Sequence, residues 1–76
     1  MTLTQLKYVL AIAKAGTINA AAKQLFISQP TLSSAVKELE AELGISLFNR
    51  TSKGVEPTAD GEEFLSYARQ VVMQTD

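Results

Sequence analysis

The apolar positions of this chain recur at helical spacing in separate runs. Leu6, Val9, Leu10 and Ala13 fall at i, i+3, i+4 and i+7, one stripe of a helix. Thr2 with Gln5 makes a capping-box pattern and Gly16 is a left-handed terminator, so the spacing predicts a first helix over Leu3–Ala15. Thr17 caps a second, short helix, Ile18–Leu25, whose Ala20-Ala21-Ala22 run lets another helix approach closely. Ser28 is a third cap. Pro30 sits in the first turn that follows, where its missing N–H costs nothing. That third helix runs on to Leu43 and stops at Gly44, with Leu32, Val36, Leu39 and Leu43 along one arc.

Beyond Gly44 the period changes. Leu47-Phe48-Asn49-Arg50 and Gly54-Val55-Glu56-Pro57 flank the polar segment Thr51-Ser52-Lys53, which fits a small hairpin. Thr58 caps a fourth helix with apolar positions Phe64, Leu65, Ala68, Val71 and Val72. It meets no stop signal before the last residue.

Composition narrows the function classes. A chain of 76 residues holds one modest core. Its Ala and Leu richness favours helix. There is no Cys, hence no disulfide framework, thiolate metal site or Cys nucleophile, and no His, the commonest general base and metal ligand. No metal site or cofactor is expected. Glu38, Glu40 and Glu42 alternate along the third helix and point in different directions, so an enzyme is not expected either. The longest apolar run, Tyr8–Ala13, is far too short to cross a bilayer, and Met-Thr-Leu-Thr-Gln lacks the pattern of a secretion signal. An intracellular domain without a membrane partner is the expectation.

The net charge is −1, which by itself argues mildly against a nucleic-acid partner. Its distribution reverses that reading. Lys7, Lys14, Lys23 and Lys37 precede the first acid, Glu38, and a second acid-free stretch around the hairpin turn carries Arg50 and Lys53. A positive face can exist on a globally acidic molecule.

The second and third helices are joined by a tight turn, a helix-turn-helix shape. The outer side of the third helix presents Pro30, Ser33, Ser34, Lys37 and Ala41, with Gln29 and Thr31 at its tip: small, polar and cationic. Such a surface suits a DNA groove, where Gln can bond adenine and Ser or Thr can bond several bases. Thr17, Ser28 and Lys37 suit phosphate oxygens. Arg50 and Lys53 can reach backbone or minor groove from the hairpin, the alternative being an Arg50–Glu56 surface ion pair. The competing reading of the helix face is a protein contact, which would want aromatics, Met or Arg, and that face offers none.

Leu6 to Gly61 resembles the N-terminal DNA-binding domain of LysR-type bacterial transcriptional regulators. The resemblance is carried by Ala20-Ala21-Ala22, Ser28-Gln29-Pro30-Thr31-Leu32-Ser33, Leu39-Glu40, Leu43-Gly44, Leu47-Phe48-Asn49-Arg50, Gly54-Val55 and Thr58-Ala59-Asp60-Gly61. It implies a mainly α, winged helix-turn-helix fold, with a three-helix core and two-stranded wing over residues 1–57. Residues 58–76 would then begin a linker helix. It implies sequence-specific binding of double-stranded DNA, with helix 29–43 in the major groove and wing 47–57 on the backbone or minor groove. Family contacts carry over to Thr17, Ser28, Gln29, Pro30, Thr31, Ser33, Lys37 and Arg50, and Lys53 matches a position that is often basic. Ser34 stands where many relatives carry a longer base-reading side chain, and Pro57 where they often have Leu, which predicts a shortened outer wing strand. The resemblance further implies a homodimer on an inverted-repeat operator, paired through the fourth helix, with Phe64, Leu65, Ala68, Val71 and Val72 as interface candidates. A small-molecule effector would act only through a C-terminal domain that this chain does not contain. The setting would be the bacterial cytoplasm, on the nucleoid when bound.

Overall fold

The computed structural model describes residues 1–75. Along them run α1 (Leu3–Ala15), α2 (Ile18–Leu25), α3 (Gln29–Leu43), β1 (Phe48–Thr51), β2 (Gly54–Pro57) and α4 (Ala59–Thr75). The fold is a winged helix-turn-helix. The caps read from the sequence set the helix limits. The Thr2 hydroxyl accepts the Gln5 N–H at 3.1 Å, while the Gln5 side-chain oxygen accepts the Thr2 N–H at 3.0 Å. Thr17 accepts from the Ala20 N–H at 3.0 Å and Ser28 from the Thr31 N–H at 3.2 Å. Gly16 and Gly44 close α1 and α3 in the left-handed conformation.

One core joins all four helices: Val9 and Ile12 of α1, Ala21 and Ala22 of α2, Leu32, Val36 and Leu39 of α3, Leu47, and Leu65 of α4. The α1 stripe is rotated relative to the expected one. Leu6, Val9 and Ile12 are buried, whereas Leu10 and Ala13 are only half-buried, because α1 is enclosed by α2, α3 and α4 together and not by one neighbour. On α4 the expectation of an interface through Leu65 and Ala68 is corrected. These residues are 2% and 0% exposed, packed within the fold, and cannot meet a second copy. Phe64, Val71 and Val72 are half-buried.

The wing is an antiparallel pair in register Phe48 with Pro57, Asn49 with Glu56, Arg50 with Val55 and Thr51 with Gly54. Its outer strand is not shortened by Pro57. The Val55 N–H points away from β1 and donates to the Gly16 carbonyl at 2.9 Å. By the alternation of a strand, position 57 faces the same way, so the proline's missing N–H deprives the ladder of nothing. That docking also explains Gly54. A Cβ there would collide with the Gly16 carbonyl oxygen, and φ is 143°. Gly61 is buried against the Leu47 carbonyl with no room for a side chain. Around it the Thr58 N–H donates to the Leu47 carbonyl at 3.0 Å, the Thr58 hydroxyl donates to the Ser46 carbonyl, and the Gly61 N–H donates to the Thr58 hydroxyl at 2.8 Å. The Thr58-x-x-Gly61 sequence thus staples α4 to the root of the wing.

Candidate nucleic-acid interface

The N-terminal tip of α3 is an ordered polar cluster. The Ser28 hydroxyl, already accepting the Thr31 N–H, donates to the Thr31 hydroxyl at 2.7 Å. One turn on, the Gln29 amide donates to the Ser33 hydroxyl at 3.5 Å. Ser28, Gln29, Pro30, Thr31, Ser34 and Lys37 are exposed and Ser33 is half-buried. These contacts hold the short side chains in place and leave the Gln29 carbonyl oxygen and the Thr31 hydroxyl proton directed to neither partner. With Pro30 lacking an N–H and the Thr31 and Leu32 N–H groups bonded to Ser28, the Gln29 N–H and the helix dipole supply the positive potential there.

The wing brings its cations to this surface unequally. Arg50 lines a cleft with Ile18, Ser33, Val36, Lys37, Glu40, Phe48 and Val55, between α3 and the wing. It also lines a depression with Thr17, Asn19, Gln29 and Gly54. Arg50 therefore links the α2 N-terminus, the α3 tip and the wing. Lys53 lines neither hollow. It stands exposed at the turn, its N–H donating to the Thr51 hydroxyl at 3.2 Å. The alternative Arg50–Glu56 pair does not form. Arg50 faces Val55 across the ladder, and Glu56 projects from the opposite face of the sheet. Among the described residues the one ion pair joins the Met1 ammonium group to Glu42, so Lys37, Arg50 and Lys53 are not neutralised by a carboxylate.

Thr17 is half-buried with its oxygen engaged by the Ala20 N–H, and its hydroxyl keeps a proton to donate. Asn19 escaped the sequence reading. It is exposed in the first turn of α2, beside Thr17 and in the same hollow as Gln29 and Arg50. Its place two residues after a cap was the available signal. Glu40 also escaped as a support. Its carboxylate accepts the Leu47 N–H at 2.7 Å. No group of three or more His, Cys, Asp or Glu side chains able to hold a metal occurs among the described residues. No helix among them is long and apolar enough to cross a membrane.

The sequence model of the bacterial regulatory helix-turn-helix protein, lysR family, matches residues 3–62. The chain belongs to the LysR family. The matched span holds the whole LysR-type helix-turn-helix, the wing and the first turn of α4, and includes every candidate DNA contact. Similar LysR relatives include the HTH-type transcriptional regulator ClcR of Pseudomonas putida, 46% identical over the full chain, which covers 26% of that protein. Among solved structures, a CbnR DBD–DNA complex is 44% identical with a TM-score of 0.94, covering 99% of this chain and 86% of that one. A complex of the BenM DBD with benA site 1 DNA is 38% identical with a TM-score of 0.95, covering 100% and 85%. The chain spans between about a quarter and about half of the length of the curated LysR relatives it matches, for example ClcR at 26% and BudR of Klebsiella aerogenes at 53%.

Proposed function

We propose that this chain is the sequence-specific DNA-binding domain of a LysR-type transcriptional regulator. The observation that carries the reading is the convergence of the acid-free α3 tip with Arg50 of the wing on one side of the molecule. α3 enters the major groove. Gln29 and Ser33, with Pro30, Thr31 and Ser34 around them, meet base edges, and Lys37 meets phosphate. Thr17 and Ser28 hold the backbone on either side, and Arg50 and Lys53 reach backbone or minor groove. The reading is supported by the DNA complexes of the CbnR and BenM domains, whose backbones superpose on this one. Two copies act on an inverted repeat in the bacterial cytoplasm, with recognition helices ~34 Å apart. Residues 58–76, of which Asp76 lies outside the described residues, begin a linker helix, and the half-buried Phe64, Val71 and Val72 supply its pairing face. An effector is sensed by a separate part of the full-length regulator.

Selection of bound duplexes from random DNA, followed by fluorescence anisotropy on the recovered sequence, tests the proposal. Recovery of an inverted repeat, bound with an affinity that falls steeply with salt, is the expected result. No duplex binding at low salt would sink it.

A further inference from the structure

Phe26 is the one non-glycine residue with positive φ among the described residues, at φ 60° and ψ 39°. It forms the corner between α2 and α3. That conformation suits glycine or asparagine and is strained for a bulky side chain. The backbone is held there regardless. The Phe26 N–H donates to the Lys23 carbonyl at 3.3 Å and the Ile27 N–H to the Ala22 carbonyl at 3.1 Å, while Ile27 packs against the core. The Phe26 ring gains nothing from this. It is 94% exposed, more so than any other large hydrophobic side chain among the described residues. A ring that opposes its own backbone and buries no surface does not serve the fold, and such an outlier points to function.

Its surroundings narrow the occupant. Phe26 directly precedes the Ile27-Ser28-Gln29 segment, on the corner from which the α3 tip projects. Lys23 and Gln24 before it and Ser28 and Gln29 after it are exposed, and no acid occurs in the chain before Glu38. A lone exposed ring flanked along the chain by an exposed cation, amides and a hydroxyl, three residues before Gln29, matches a polyanion that also offers apolar faces. We propose that Phe26 is a further DNA contact, its ring packing on deoxyribose faces of the backbone beside the groove that α3 enters. The inference rests on the DNA-binding reading and deepens it. Sugars are alike in every sequence and uncharged, so the contact adds affinity to all duplexes and leaves salt dependence untouched.

Anisotropy titrations of the chain with its selected duplex and with a scrambled one test this. Phe26→Gly and Phe26→Asn both suit the left-handed corner, so their thermal midpoints stay at or above that of the parent chain. Each is expected to weaken binding to both duplexes by about tenfold, the scale of one lost apolar contact, with the salt slope unchanged. Phe26→Tyr keeps the ring and the affinity. Undiminished affinity in the Gly and Asn variants, while the parent chain binds, overturns the proposal and leaves the DNA reading standing. Undiminished affinity together with lost self-association in sedimentation also overturns it, and assigns the ring to a second copy. A parent chain that binds no duplex removes both readings.

Discussion

The Glu40 carboxylate, on α3, accepts the backbone N–H of Leu47, the residue that leads into the wing, at 2.7 Å. Lys37 lies one turn before Glu40 and Arg50 three residues after Leu47, and both line one cleft. This hydrogen bond ties α3 directly to the strand entry and so helps to fix the offset between a cation on α3 and a cation on the wing. No ion pair competes for Glu40 among the described residues.

Breaking that link should be felt in stability. Leu47 is buried, so Glu40→Ala leaves its N–H without an acceptor, at a cost of about 1–3 kcal/mol. In a domain of this size the thermal midpoint should drop by roughly 10 °C. Glu40→Gln keeps an acceptor oxygen and should lose less than half as much. Equal melting curves for both variants by circular dichroism would show that the bond carries no weight.

The glycines should rank by what stands behind them. Gly61→Ala drives a methyl into the Leu47 carbonyl, and Gly54→Ala drives one into the Gly16 carbonyl. Each should cost about 1–3 kcal/mol through forced backbone shifts. At Gly44 the space is open, so Gly44→Ala meets only the left-handed penalty, about 1–2 kcal/mol. Urea unfolding midpoints give the order, and a Gly44 variant worse than both others would contradict the packing account.

DNA contacts should separate by kind. Gln29→Ala should cost about 1–3 kcal/mol on the selected duplex and little on a scrambled one, because its contribution is to base choice. Lys37→Ala should weaken both alike. Lys37→Ala and Arg50→Ala should in addition each lower the slope of log affinity against log salt by about 0.9 for the phosphate that the cation neutralises. Anisotropy at several salt concentrations separates Gln29 from the two cations, and identical behaviour of the Gln29 and Lys37 variants would remove the readout role.

On α4, the two sides of the helix should respond differently. Leu65→Ala opens a cavity in the core and should cost about 2–5 kcal/mol without altering association of the folded chain. Val71→Glu, at a half-buried position, should abolish self-association in sedimentation and leave the melting temperature within a few degrees. A monomeric parent chain would remove the pairing role of this helix.

The helices were legible because their ends are written locally. Thr2 with Gln5, Thr17, Ser28 with Pro30, and the terminal glycines act over three or four residues; α1 and α3 begin and stop, and α2 begins, where those signals say, while α2 stops at Phe26, which carries no such signal. The tip of α3 was legible for the same reason. What depends on who packs against whom was not. Ile12 outranks Leu10 and Ala13 in burial only because three helices surround α1. Leu65 and Ala68 face inward because α4 returns across α1. Nothing near Glu40 in the chain announces a bond to Leu47. The harmless Pro57 became intelligible only once Val55 showed which way that strand edge points.

The bond from Val55 to Gly16 has a mechanical consequence. It welds the ribbon that carries Arg50 to the turn that presents Thr17, so the two jaws of the molecule keep a constant opening. A calliper of constant opening measures what it closes on. Along a duplex the gauge between phosphate rails varies with the nucleotides beneath, so even steps that no side chain touches would be sensed through how well the rails fit.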